Sequence, residues 1–208
     1  MGSAGANWRD ISWEITLKIG VLISGTGRTL KNLIDLEKQK TLYARVQCVV
    51  AHKRDVPGLK YASEAEIPHT WDFRNVFPFL ESHSVDLVVL AGWLKFLEIP
   101  PKWTNRVMNI HPSLIPSFCG KGMYGHHVHE AVIASGVKVS GCTVHFVDNE
   151  YDHGPIIMQR TTNVFEDDTS ETLAARVFFE EKFIYPQAIN LFAKNKLVVE
   201  GRKVRILL

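Results

Sequence analysis

Short apolar runs alternate with amphipathic stretches along most of this chain, and that alternation restricts the fold more than any other feature. A strand that is apolar on both faces must be covered on both faces, and the crossover helices of a parallel sheet supply that cover. Residues 17–23 read as a first strand, 24–29 as a glycine-containing turn and 30–38 as a helix. Residues 46–51 read as a second strand, 58–66 as a short helix closed by Pro68, and 69–71 as a brief third strand. A helix over 76–83, a buried strand over 85–91, a strand over 107–110 and a helix over 128–134 follow. Residues 139–147 and 156–162 read as two strands, antiparallel to each other, that flank an acidic turn. Residues 168–193 carry a long helical pattern, in which Pro186 predicts a kink or break near Tyr185. The expected fold class is α/β, with a mostly parallel central sheet and helices on both faces. A chain of 208 residues suits one such domain with a full core, and no repeat or linker divides it.

The strand over 107–110 ends in polar chemistry. Asn109 and His111 are two residues apart, so both point to one side of an extended backbone. Pro112 and Pro116 stop the strand and fix the exit path. Strand ends are where α/β proteins place their sites. Some forty residues on, Asp148-Asn149-Glu150-Tyr151-Asp152-His153-Gly154-Pro155 offers a turn that can bring a carboxylate to the imidazole. An amide, an imidazole and a carboxylate together suit acyl transfer through a charged tetrahedral intermediate. Taken singly, Asn109 also reads as a strand-end cap, His111 as a satisfied histidine and the acidic residues as a solvated turn.

Ser24-Gly25-Thr26-Gly27-Arg28-Thr29 joins a strand to a helix. Its glycines allow close approach of backbone to a ligand, and the first helical amides attract an anion. A tight turn without a ligand fits the same residues. The segment is not a Walker A loop and lacks the third glycine of a dinucleotide fingerprint.

Composition closes off other classes. A net charge of +2 provides no basic field for nucleic acid. Cys48, Cys119 and Cys142 form no CxxC pair, which argues against a disulfide scaffold or zinc knuckle and fits a reducing cytoplasm. The longest apolar stretch, residues 87–94, is far short of the ~20 residues of a spanning helix. Arg9, Asp10 and Glu14 interrupt any signal-peptide core near the start. His126, His127 and His129 raise a metal possibility beside His111. Neighbouring histidines on a helix do not face one ion, and no metal is expected. Residues 1–16 read as an N-terminal extension or tag remnant, with Trp8 or Trp13 expected to pack on the domain or on a second copy.

The Asn-x-His-Pro-Ser-Leu-x-Pro block at 109–116, with the Asp-x-Gly-Pro turn at 152–155, resembles the folate-dependent formyltransferases. The likeness runs from about Lys18 to about Leu197. Gly120-Lys-Gly-Met-Tyr-Gly125 and Ser24-Gly-Thr-Gly27 narrow it toward the glycinamide ribonucleotide branch. The resemblance implies a Rossmann-like formyltransferase domain over 17–208. It implies transfer of a formyl group from the cosubstrate 10-formyltetrahydrofolate to the amine of 5′-phosphoribosylglycinamide, in de novo purine biosynthesis. Asn109, His111 and Asp152 become the expected catalytic residues. Ser113 becomes a loop-stabilising hydroxyl, because the substrate brings its own nucleophile. The loop at Gly25, Thr26, Gly27, Arg28 and Thr29 becomes the site for the substrate phosphate, although the family commonly has Ser-Asn in place of Arg28-Thr29. Glu181 and Pro112 are expected to contact the substrate. Glu181 shares a helix face with Leu173, Val177 and Ile184, while Arg176 and Glu180 are expected to pair on the neighbouring face. Trp93, Lys95, Phe96, Leu97, His145, Val147 and Tyr151 are expected around the folate, with Trp93, Lys95 and Phe96 exposed. Lys95 stands where many relatives have Arg, and residues 72–84 are shorter than the matching stretch. The same resemblance admits 10-formyltetrahydrofolate hydrolysis, or formylation of a sugar nucleotide or methionyl-tRNA. The tRNA enzymes usually carry a further C-terminal domain and the hydrolases an N-terminal regulatory one. The expected partners are small molecules, with no nucleic acid and no membrane, in a cytoplasmic monomer or homodimer.

Overall fold

The computed structural model describes residues 17–207. The expectations for residues 1–16, including Trp8 and Trp13, lie outside the described residues. Among those described, nine strands form one sheet in the order β3-β2-β1-β4-β5-β6-β7-β9-β8. Strands β1 (Leu17–Ile23), β2 (Ala44–Ala51), β3 (His69–Thr70), β4 (Leu87–Leu90) and β5 (Val107–His111) pair in parallel. β6 (Val139–Phe146) runs antiparallel to β5, and β7 (Ile156–Asn163) antiparallel to β6. β9 (Lys203–Ile206) lies parallel to β7, and β8 (Leu197–Glu200) closes the far edge against it.

The strands alternate between two cores, as a doubly covered sheet requires. Ile19, Val21, Val49 and Val89 face one cluster, to which α1 (Arg28–Lys38), α2 (Leu59–Glu64), α4 (His126–Ala134) and α5 (Ser170–Ala193) contribute. Leu22, Val50, Val88 and Leu90 face the other, covered by α3 (Val76–Ser82) and Trp103. Each fully buried aliphatic side chain is worth roughly 1.5–3 kcal/mol of removal from water. The two clusters therefore hold the parallel strand ends rigid, and the site residues leave from those ends.

Several expectations are corrected. α5 runs through Pro186 unbroken. Proline lacks the N–H that would bond the carbonyl four residues back, which is that of Lys182. Asn32 Nδ2 donates to that carbonyl at 3.2 Å, so α1 satisfies what α5 cannot. α1 and α4 each start two residues earlier than expected, and β4 is shorter than 85–91. The β8–β9 hairpin was not expected, because its strands are half-exposed and short. Arg176 does not pair with Glu180. It forks onto Asp168 at 2.8 Å and holds that carboxyl well below the usual range, while Glu180 pairs with Arg160.

Candidate active site

β5 delivers Asn109 and His111 to the C-terminal end of the parallel strands. The antiparallel neighbour β6 sets His145 directly opposite Asn109. His145 Nδ1 donates to the Phe146 carbonyl at 2.7 Å, which leaves Nε2 with a lone pair. Asn109 Nδ2 donates to that lone pair at 3.2 Å. Burial lowers the pKa of His145, and this keeps it in the neutral, accepting form. One amide hydrogen of Asn109 remains for a ligand.

His111 is buried, and its Nε2 meets the Phe118 carbonyl at 2.9 Å. A carbonyl only accepts, so Nε2 carries the proton. Nδ1 faces Asp152 Oδ2 at 3.5 Å, while the other carboxylate oxygen lies 3.8 Å from His145 Nε2. Asp152 thus stands between two imidazoles, and Gly120 N–H anchors it at 2.9 Å. The turn that presents it is tightly set. Asp152 takes a left-handed φ of 52°, and a Cβ on Gly154 would collide with the Phe146 carbonyl. Asn149 ties the turn to Ile99 N–H at 2.7 Å. Ser113 is fully buried, and its hydroxyl donates to the Ser117 carbonyl at 2.6 Å, a loop-holding bond as expected.

The second wall is the β1–α1 loop. Gly27 caps α1 in the left-handed region, at φ 76°, without a side-chain cap bond. The amides of the first helical turn are therefore unclaimed by the helix. A Cβ on Gly27 would lie 2.6 Å from Gly58 Cα, so glycine here serves the contact between two loops. Gly25 is exposed, and a Cβ added there would meet nothing within 4 Å. Opposite lies α5, where Glu181 is half-buried. Burial pushes its carboxyl up to about 7, against the opposing pull of the Arg28 guanidinium. Arg28 Cζ lies 4.2 Å over the ring of Phe178. One turn beyond Glu181, the buried Tyr185 hydroxyl lies 3.0 Å from the Leu90 carbonyl and 2.9 Å from that of Met108, and so ties α5 to β4 and β5.

The third wall follows β4. Ser24 Oγ accepts from Leu94 N–H at 3.0 Å and joins this wall to the β1–α1 loop. Phe96 and Tyr151 are exposed and meet at 5.3 Å across the mouth. Trp93 was expected to be exposed, but it is half-buried, packed on the second core and edge-on to His52 at 6.4 Å. Lys95 is exposed.

These walls enclose one cavity of about 320 Å³. Asn109, His111, Pro112, Asp152, Glu181, His145 and Val147 line it, with all of residues 25–29, Trp93, Lys95, Phe96, Leu97 and Tyr151. Sequence reasoning missed Phe178 and Ala174, which line it too, as do Tyr124 of the 120–125 run and His129. Phe178 was legible as three residues before Glu181 on the same helix face. His129 is buried, with Nδ1 unpartnered among the described residues, and burial lowers its pKa to about 4. No group of three His, Cys, Asp or Glu among the described residues could hold a metal ion. No helix among them is long and apolar enough to cross a membrane.

Comparisons with known proteins identify the family. The family model described as formyl transferase matches residues 17–189. The chain is 37% identical to the phosphoribosylglycinamide formyltransferase of Haemophilus influenzae over 195 residues, covering 86% of this chain and 89% of that one. It is 41% identical to the trifunctional purine biosynthetic protein adenosine-3 of Gallus gallus over 196 residues. That match covers 88% of this chain but only 19% of the relative's length. Among solved structures, glycinamide ribonucleotide transformylase 1 from Symbiobacterium toebii superimposes with a TM-score of 0.86 at 39% identity, over 94% of this chain and 96% of that one.

Proposed function

The chain belongs to the formyl transferase family, and on that premise we propose that it moves a formyl group from 10-formyltetrahydrofolate to the amine of 5′-phosphoribosylglycinamide. The carrying observation is convergence. An amide donor, a carboxylate–imidazole pair, a turn of free helix amides and a half-buried carboxylate share one cavity. Each part has a use in that reaction.

In this reading the phosphate sits on the amides of residues 25–29, and the folate rings lie against Trp93, Phe96, Leu97, Val147 and Tyr151. Glu181 and Pro112 hold the glycinamide end so that its amine faces the formyl carbon, because orientation supplies a large part of such catalysis. The amine lone pair forms the new C–N bond, and the carbonyl π pair moves onto oxygen. Asn109, held by His145, donates to that oxyanion. The Asp152 carboxylate, backed by His111, takes the proton from the attacking nitrogen and returns it at N10 of the folate. Collapse of the intermediate breaks the C–N10 bond and releases tetrahydrofolate. No protein nucleophile is needed, and the chemistry needs no metal. Residues 17–208 serve as one formyltransferase domain of a cytoplasmic protein. Its partners are the two small molecules, and it works as a monomer or homodimer.

Tetrahydrofolate release, measured with and without the ribonucleotide, tests the reading. Release that requires the amine, matched one-to-one by formylated product, is expected. Equal release without it would make the chain a hydrolase.

A further inference from the structure

The cavity holds a pair of side chains to which the proposed scheme gives no role. Arg28 opens α1, directly after the left-handed Gly27, and Phe178 projects from α5. The guanidinium carbon lies 4.2 Å over the Phe178 ring, which is stacking distance. Both line the cavity, and Arg28 is exposed. Among the described residues Arg28 makes no ion pair, although Glu181 is near enough to feel its charge.

We propose that Arg28 and Phe178 form the side-chain half of the phosphate site, with Arg28 as the binding cation and Phe178 as its positioning residue. This rests on the reading that residues 25–29 take the substrate phosphate. The chemistry of stacking carries it. A guanidinium stacked by its face keeps its N–H donors around the edge, free to fork onto phosphate oxygens. An unstacked arginine at an exposed helix start must lose several rotamers on binding, whereas one held by a ring has already lost most of them. With no carboxylate paired to Arg28 among the described residues, the phosphate displaces no existing ion pair. Backbone amides accept any anion of the right size. The added planar cation favours a terminal phosphate over a neutral hydroxyl at the same place.

The pairing separates from a wall role for Phe178 by a set of substitutions. Arg28→Gln, Phe178→Leu, Phe178→Tyr and the control Lys182→Ala are compared in the full-length protein. Lys182 is included because its Nζ lies 5.9 Å from the same ring. KM and kcat are measured for glycinamide ribonucleotide, and binding is measured by calorimetry for it and for its dephosphorylated form. Arg28→Gln should raise KM for the ribonucleotide by about tenfold or more, with kcat moving much less. Phe178→Leu should raise it about threefold to tenfold, and Phe178→Tyr, which keeps the ring face, should restore it. Neither change should alter binding of the dephosphorylated form, and the double variant should be no worse than Arg28→Gln. The proposal is overturned if Phe178→Leu weakens both forms equally, if Phe178→Tyr fails to rescue a folded protein, or if Lys182→Ala reproduces the Phe178→Leu effect. Equal wild-type affinity for both forms is a different failure, because it removes the phosphate from residues 25–29 altogether.

Discussion

Asn109 Nδ2 donates to His145 Nε2 at 3.2 Å, between residues directly opposite each other in the β5–β6 register. The bond fixes the amide rotamer, because His145 Nδ1 is already bonded to the Phe146 carbonyl. Asn109→Ala should therefore lower kcat by ~10²–10³, as for loss of one oxyanion donor. His145→Ala leaves the donor in place but free to rotate, and should cost about tenfold to a hundredfold. Steady-state kinetics at saturating substrates decide it. Near wild-type turnover in Asn109→Ala would remove the oxyanion role.

His111 and Asp152 act as a unit, since the carboxylate lies 3.5 Å from His111 Nδ1 and each side chain fixes the orientation of the other. His111→Ala and Asp152→Asn should each be severe, by roughly 10²-fold or more, and the double variant little worse than the worse single. Asp152→Asn still offers an oxygen to Gly120 N–H, so the turn should survive. A double-mutant cycle on kcat shows whether the losses overlap. Full additivity would separate the two roles.

The parallel half of this fold was legible because its strands are apolar on both faces, and both sides of the sheet then follow from covering them. The site was legible for a related reason: Asn109 and His111 interrupt an otherwise apolar strand. What escaped reading depends on contacts between distant segments. Pro186 predicts a break only if nothing else can take up the Lys182 carbonyl, and Asn32 does so from another helix. Tyr185 entered the sequence reading only as the place of the expected break, yet its hydroxyl reaches carbonyls of two strands. The β8–β9 hairpin buries too little to leave a strand pattern.

The phosphate loop gives a third prediction. Gly27→Val is a poor probe, because its side chain would strike Gly58 rather than a ligand. Gly25→Val meets open space and has no positive φ, so it should fold normally while crowding the anion site. Calorimetry should show the dephosphorylated substrate binding wild type at least about 10²-fold more weakly, with folate binding unchanged. Gly25→Val should lose most of that difference. An unaltered preference for phosphate in Gly25→Val would move the anion away from this loop.

His129 makes stability depend on acidity. Burial, with the nearby charges of His126 and His111, lowers its pKa from 6.5 to about 4. The folded state therefore binds fewer protons than the unfolded one between those values. Its contribution is whole above pH 6.5 and is lost as pH falls toward 4, on the order of 3 kcal/mol at the limit. His129→Phe cannot take up a proton. Urea unfolding from pH 7.5 to 4.5 should show a shallower decline for that variant than for wild type. Parallel pH profiles would mean that the histidine takes up its proton in the folded state without penalty.

Glu181 carries the opposite sign, and it joins stability to function. Its folded pKa is raised from 4.5 to about 7 by burial. Between those values the folded carboxyl keeps a proton that the unfolded chain releases. The resulting stabilisation is fully present below pH 4.5 and is lost as pH rises through 7. Above that, the protein holds an ionised carboxylate in a poorly solvated wall, with the Arg28 charge opposing the cost. Glu181→Gln stays neutral throughout. Without ligands it should be more stable than wild type at pH 8 by urea unfolding, and the gap should close at pH 5. The same variant should form product more slowly at limiting ribonucleotide, because an amide holds an amine less firmly than a carboxylate does. A gain in stability with a loss of transfer is the signature of a group retained for binding. No gain at pH 8 would mean that the carboxylate is better solvated than its surroundings suggest. A gain without any loss of transfer would leave the formyl transfer standing and remove Glu181 from the substrate.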